Sequence, residues 1–219
     1  MTFKVFLVDD DVGVQKALSR LLRAAGYETR AYGAADDFLA DYTPAEPGCV
    51  ILDLNLPGID GLQLQEKLIS NDASRPIIFV SGAGNVPTSV RAMKAGAIDF
   101  LTKPVQRQAL IAAVERAREQ DAKARRSQED RGAWEGRLAT LTPREKEVLT
   151  HVVAGRMNKQ IAAALGTVEK TVKVHRGRMM SKLGIRSVAE LVRLTERGGL
   201  QPNLVVPPEL PAALHISDR

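Results

Sequence analysis

Short apolar runs recur through the first hundred residues, at 4–8, 49–52, 77–80 and, more briefly, 100–101. Each ends in a polar or small residue and a turn, as fully buried strands do. Between the runs, apolar residues follow a helical period. Val14, Leu18, Leu21 and Leu22 stand at i, i+4, i+7 and i+8 on one predicted helix face. Leu62, Leu64, Leu68 and Ile69 mark a second helix, and Val90, Met93 and Ala97 a third. Gly26, Gly33, Pro57, Gly58, Gly82, Gly84 and Gly96 punctuate the joins. Strands that are apolar on both faces, alternating with helices, predict a doubly wound α/β domain around a parallel sheet.

The second half reads differently. Leu110, Val114 and Ala117 carry an apolar face onward, and then it stops: residues 119–131 read EQDAKARRSQEDR, polar but rich in helix formers. A helix that loses its apolar face predicts an exposed helical linker, and no a/d pattern lasts long enough for a coiled coil. Thr142, Pro143 and Glu145 then open a helix as N-cap, first-turn proline and capping-box partner. Val148, Leu149, Val152 and Val153 supply its buried face, and Gly155 stops it. Ile161, Ala162 and Leu165 mark a second helix ending at Gly166, and a third runs from about 168 to 183. Ser187 with Glu190 predicts a capping box for a fourth. This all-α module reads as helix-turn-helix. From Gly198 onward, Pro202, Pro207, Pro208 and Pro211 predict a flexible tail. The expected domains are therefore 1–120, a linker at 121–136, a helical module at 137–198 and a tail at 199–219.

Composition narrows the classes. Of 219 residues, 44% are hydrophobic, which excludes wholesale disorder. Cys49 is the single cysteine, so a disulfide scaffold is excluded and an inert buried thiol in a reducing, cytoplasmic setting is expected. No apolar run nears the roughly 20 residues that cross a bilayer, and no export signal precedes the first carboxylates. Charge is uneven: residues 1–110 carry 11 Lys/Arg against 13 Asp/Glu, whereas 142–197 carry 12 against 5. Such asymmetry suits a second module that faces a polyanion, although solvated lysines would look alike.

Ligand sites in parallel sheets lie outside the carboxyl ends of the strands. Asp9, Asp10 and Asp11 follow the first run, Asp53 the central one, Ser81 the next, and Lys103 the last. Clustered carboxylates need a cation, and an all-oxygen set suits Mg²⁺. A lysine and a hydroxyl add charge neutralisation and hydrogen-bond donors for a transferred phosphoryl group. A carboxylate can itself be the nucleophile, giving an aspartyl phosphate. Alone, Asp53 could be a strand-end turn residue, and Asp11 suits an N-cap better than a metal. Phe100 could be plain core.

Four stretches now matter together: VDDD (8–11), DLNLPG (53–58), SGAG (81–84) and FLTKP (100–104). In order and spacing they resemble the receiver domain of bacterial two-component response regulators. That resemblance implies a flavodoxin-like fold, with Asp53 as phosphoacceptor and Mg²⁺ held by Asp10, Asp53 and the Asn55 backbone carbonyl, Asp9 assisting. It places Ser81 and Lys103 on the phosphoryl oxygens, makes Lys103–Pro104 a cis bond, and makes Phe100 the switch aromatic. An aspartate-nucleophile phosphatase is the rival chemistry, but its second Asp is replaced here by Asn55. With Ala83 too small to obstruct water, the Asn55 amide implies slow self-dephosphorylation over minutes.

TPREKEVL (142–149), NKQIAAALG (158–166) and KTVKVHRGRMMSKLG (170–184) resemble the DNA-binding domain of the LuxR/NarL group. By position, Lys173, Val174 and Gly177 face bases, Lys170, Thr171 and Arg176 contact the backbone, and His175 is packed. The two resemblances together imply a FixJ-type transcription regulator. Its phosphodonor would be a histidine kinase, and its targets promoter DNA and RNA polymerase. It would form a homodimer, when phosphorylated, through residues 88–101. Two departures stand out: Val168 replaces the serine cap usual in that family, and Gly177 lies mid-helix, where it costs stability and offers no side chain to read a base. They keep open a receiver-controlled switch that binds protein instead of DNA.

Overall fold

Five strands assemble from the apolar runs and one segment that has none. In the computed structural model, which describes residues 2–70, 75–82 and 86–197, β1 (Lys4–Val8), β2 (Glu28–Tyr32), β3 (Gly48–Asp53), β4 (Ile77–Ser81) and β5 (Asp99–Thr102) form a parallel sheet in the order β2-β1-β3-β4-β5. Alternate residues feed opposite cores, as a period of two requires. Phe6, Val8, Val50 and Leu52 pack with Phe38 of α2 (Ala35–Asp41), Leu64 and Leu68 of α3 (Gly61–Ser70) and Ala92 of α4 (Val86–Lys94). Val5, Leu7, Cys49 and Ile51 pack instead with Leu18 and Leu22 of α1 (Val12–Ala24) and with Leu110, Val114 and Ala117 of α5 (Arg107–Ala139). Helices on both faces make this the expected doubly wound, flavodoxin-like arrangement. Burial pushes the Cys49 thiol pKa up, which leaves it an inert core group.

Three particulars depart from the apolar pattern. β2 and α2 carry no apolar run: Thr29 is the one buried residue of β2, an edge strand held by its register with β1. In α4 the buried residue is Ala92, while Val90 and Met93, expected on its inner face, are 42% and 43% exposed. Arg75 is buried in the first core, where its guanidinium lies 4.5 Å from the Phe6 ring and 4.7 Å from that of Tyr42. Its Nη2 donates to the carbonyls of Thr43 and Glu46, each at 2.7 Å.

The chain divides into two compact units after Arg126. Within the stretch expected to be a solvated linker, Asp121 is buried and accepts from Arg125 Nε at 2.9 Å. The same guanidinium donates to the carbonyls of Pro44, Ala45 and Glu46. Polar residues of α5 thus close onto the first unit beyond its last apolar contact.

The second unit builds its core from Trp134 and Leu141 with residues of α6 (Pro143–Val153), α7 (Asn158–Ala164), α8 (Glu169–Leu183) and α9 (Val188–Arg197). Thr142 and Glu145 form the expected capping box at the start of α6. Glu145 is buried and also accepts from Lys182 Nζ at 2.6 Å, tying α6 to the end of α8. These hydrogen bonds, that from Lys182 foremost, hold its carboxyl below the usual glutamate value. Gly166, at φ +60°, makes the tight turn between α7 and α8 in a conformation that side chains with a Cβ rarely adopt. At α9 the expected box is altered: Ser187 Oγ accepts from Glu190 N, but Glu190 accepts from Arg186 N, one residue before the cap. The proline-bearing tail and Ala83 lie outside the described residues.

Candidate phosphoryl-acceptor pocket and recognition helix

The carboxyl ends of the strands bring the expected polar residues to one edge. Asp9 directly follows β1, Asp53 ends β3, Ser81 ends β4 and Lys103 directly follows β5. Lys103 Nζ lies 2.7 Å from Asp9 Oδ2 and 2.9 Å from Asp53 Oδ2, so one ammonium bridges two buried carboxylates. Burial raises the Asp9 pKa despite the opposing pull of Lys103. For Lys103, burial disfavours the charged form, but hydrogen bonds to Asp9 and Asp53 outweigh it and raise the pKa. The backbone locks the strand ends: Asp9 Oδ1 accepts from Asp11 N at 2.9 Å, and Lys103 N donates to the Ser81 carbonyl at 2.9 Å. Ser81 is fully buried, and Lys103–Pro104 is a cis peptide. Gly61 has no room for a side chain, since a Cβ there would stand 2.4 Å from the Asp53 carbonyl oxygen.

Carboxylate oxygens of Asp9, Asp10 and Asp53 all lie within 4.8 Å of one another. Three carboxylates against one ammonium leave two negative charges uncompensated, which a hard divalent cation matches in charge and donor type. The residues present therefore fit Mg²⁺. Asn55, two residues past Asp53, is exposed and donates its N–H to Asp53 Oδ1 at 3.4 Å. Asp11 behaves as a helix cap, accepting from Gly13 N and Val14 N at 2.7 and 3.2 Å. Phe100 is half-buried and stacks on Phe79, with ring centroids 6.2 Å apart.

Pattern reading did not single out Gln15. Its Nε2 donates to the Asp9 carbonyl at 2.5 Å and the Tyr32 carbonyl at 3.1 Å, at the edge where the acidic residues meet. A lone glutamine on an amphipathic helix carries no signal until the strand ends it spans are placed.

In the second unit, α8 buries Val172, Met179 and Leu183 and presents Lys170, Lys173, Val174, Gly177 and Arg178 to solvent. Thr171 and His175 are half-buried. Arg176, expected to contact a nucleic-acid backbone, is half-buried and donates Nη1 to Asn158 Oδ1 at 2.8 Å, linking α8 to α7. Lys173 Nζ lies 3.8 Å from Glu169 Oε1, an exposed i,i+4 pair too weak to withhold it from a ligand. Val168 is the N-cap of α8 and supplies no side-chain hydrogen bond.

Comparisons with known proteins agree with this geometry. Residues 5–115 match the response regulator receiver domain, and residues 139–195 match the bacterial regulatory proteins of the luxR family. Over 199 residues the chain is 43% identical to nodulation protein W of Bradyrhizobium diazoefficiens, spanning 91% of this chain and 88% of that one. It is 38% identical over 201 residues to the transcriptional regulatory protein FixJ of Rhizobium meliloti, spanning 92% and 98% of the two chains. The solved structure of the response regulator StyR superposes with a TM-score of 0.79 at 45% identity, covering 90% of this chain and all of that one. An acidic pocket at the strand ends of one unit and a basic helix on the other thus mark the chain as a member of the response regulators that join a receiver to a LuxR-type DNA-binding domain.

Proposed function

We propose that the chain is a phosphorylation-dependent transcription regulator of a two-component system, acting in the cytoplasm with Asp53 as its phosphoacceptor. The observation that carries this reading is the Asp53 carboxylate at the end of β3, with the Lys103 ammonium at 2.9 Å and the Asp9 carboxylate beyond it. A carboxylate oxygen of Asp53 attacks the phosphorus of a phosphohistidine on a histidine kinase. The new O–P bond forms as the N–P bond breaks, and the imidazole leaves. Lys103 moves its charge from the carboxylate to the incoming phosphoryl oxygens, and the buried Ser81 hydroxyl meets another of them. Asp9, Asp10, Asp53 and the Asn55 carbonyl would hold Mg²⁺, which supplies neutralisation of charge on the transferred group.

Phosphate at this edge favours a receiver state in which Ser81 and Phe100 are repositioned, and the chain forms a homodimer that binds promoter DNA and engages RNA polymerase. Lys173, Val174 and Gly177 of α8 face bases, while Lys170, Thr171 and Arg176 meet phosphates, Arg176 by exchanging its Asn158 hydrogen bond for a phosphate oxygen. The chain is thus a stoichiometric switch that loses its phosphoryl group slowly, and Asn55 in place of a second acidic residue disfavours a turnover phosphatase. Selection from random duplex DNA, with and without beryllofluoride as phosphoryl mimic, tests the whole reading. Enrichment of a two-fold symmetric motif only with the mimic is the expected result. Enrichment of nothing by folded protein in either state favours a partner protein as the target of α8.

A further inference from the structure

We infer that Gln15 is a positioning residue for phosphoryl acceptance: its side-chain amide fixes the turn that presents Asp9 and Asp10, and so sets the pocket's affinity for a divalent cation. The inference rests on the reading of Asp9, Asp10 and Asp53 as a cation site. The Asp9 carbonyl belongs to the peptide that joins Asp9 to Asp10. A peptide is planar, so anchoring its oxygen orients both flanking residues. Gln15 Nε2 anchors that oxygen at 2.5 Å and reaches the Tyr32 carbonyl at 3.1 Å, which already accepts from Asp9 N at 3.1 Å. The amide therefore ties the point where the chain leaves β1 to the end of β2. The backbone ladder makes the same tie through Asp9 N, but the Asp9 carbonyl lies beyond the last register pair, Val8 and Tyr32, and takes its hydrogen bond from Gln15.

The fold does not depend on this amide. Asp11 caps α1, Asp9 Oδ1 holds Asp11 N, and β1 is paired on both sides. Gln15 is only half-buried and lines an open groove with Lys16, Ser19, Arg20, Arg23 and Ala31, so its loss leaves no sealed cavity. What is lost is the orientation of one peptide. Groups that orient metal ligands set metal affinity although they touch no metal themselves.

The test uses the full chain and titrates Mn²⁺, followed by the loss of its free electron paramagnetic resonance signal. Gln15→Leu removes both hydrogen bonds at similar volume and is expected to weaken Mn²⁺ binding about three- to tenfold. Gln15→Glu, which sets an oxygen against two carbonyls, is expected to do at least as much. Gln15→Arg places an N–H at the same distance along the side chain and is expected to bind within about twofold of wild type. In parallel, phosphorylation by acetyl phosphate should show a raised half-saturating Mg²⁺ for Gln15→Leu with an unchanged rate at saturation. Equal Mn²⁺ affinity in wild type and Gln15→Leu, or a Gln15→Arg variant as weak as Gln15→Leu, overturns the inference. Absence of Mn²⁺ binding by wild type overturns the cation-site reading itself and the inference with it.

Discussion

The two units place their chemistry in opposite ways. The receiver gathers its acidic groups at buried strand ends, where Asp9 and Asp53 are 4% and 6% exposed and share one ammonium. The DNA-binding unit instead buries only apolar residues of α8 and leaves Lys170, Lys173 and Arg178 in water. Buried charges must be mutually compensated, so each member of the receiver pocket depends on the others. Solvated cations act nearly independently, so the recognition helix tolerates change one residue at a time. A buried charge cluster thus has all-or-none residues, and a solvated basic face has graded ones.

Asp53→Ala should break the receiver side of this contrast outright. Phosphoryl incorporation, read as an added phosphate mass after incubation with acetyl phosphate, should vanish while the circular dichroism spectrum is kept. Lys173→Ala should give a graded loss instead, with specific DNA affinity falling about tenfold, within the roughly 1–3 kcal/mol of a base-contacting side chain. Tighter specific binding by that variant would contradict its assigned role.

Glu145 sharpens the comparison, because among the described residues it is the buried carboxylate of the DNA-binding unit. Its pKa is lowered by Lys182 and the Thr142 N–H, so its contribution to stability is full above the unfolded value of 4.5. That contribution is lost as pH falls through the lower folded value. Between pH 6 and pH 3 the thermal midpoint of this unit, by calorimetry, should fall more steeply in wild type than in Glu145→Gln. Parallel curves would remove the ion pair from the account. The smallest effect belongs to Val168→Ser, which supplies the missing cap of α8. It should stabilise the unit by about 0.5–1 kcal/mol, and a lowered midpoint would speak against a capping deficit.

The legibility of the chain follows the same division. Residues at the ends of apolar runs could be placed from sequence, because a strand buried on both faces fixes both its position and its exit edge. That logic alone places Asp9, Asp53, Ser81 and Lys103 at one edge. It could not find β2, whose ETRAY sequence buries little more than Thr29 and is aligned on β1 by backbone pairing. It misassigned the face of α4, because the apolar Val90 and Met93 outvote the small Ala92 that packs inward. Gln15 and Arg75 escape for a related reason: each is a polar side chain whose partners are backbone carbonyls, and carbonyls leave no mark on composition. In α8 the apolar spacing of Val172, Met179 and Leu183 identified the inner face, but not the diversion of Arg176 to Asn158.

One feature of the second core reaches into how the chain can be watched. Trp134, its single tryptophan, is 5% exposed among Leu141, Val148 and Leu183. The three tyrosines, Tyr27, Tyr32 and Tyr42, all lie in the receiver. Light at 295 nm therefore excites the DNA-binding unit alone, while tyrosine emission belongs wholly to the receiver. The native protein carries a separate optical label in each half, and the melting of either half can be followed with no dye attached.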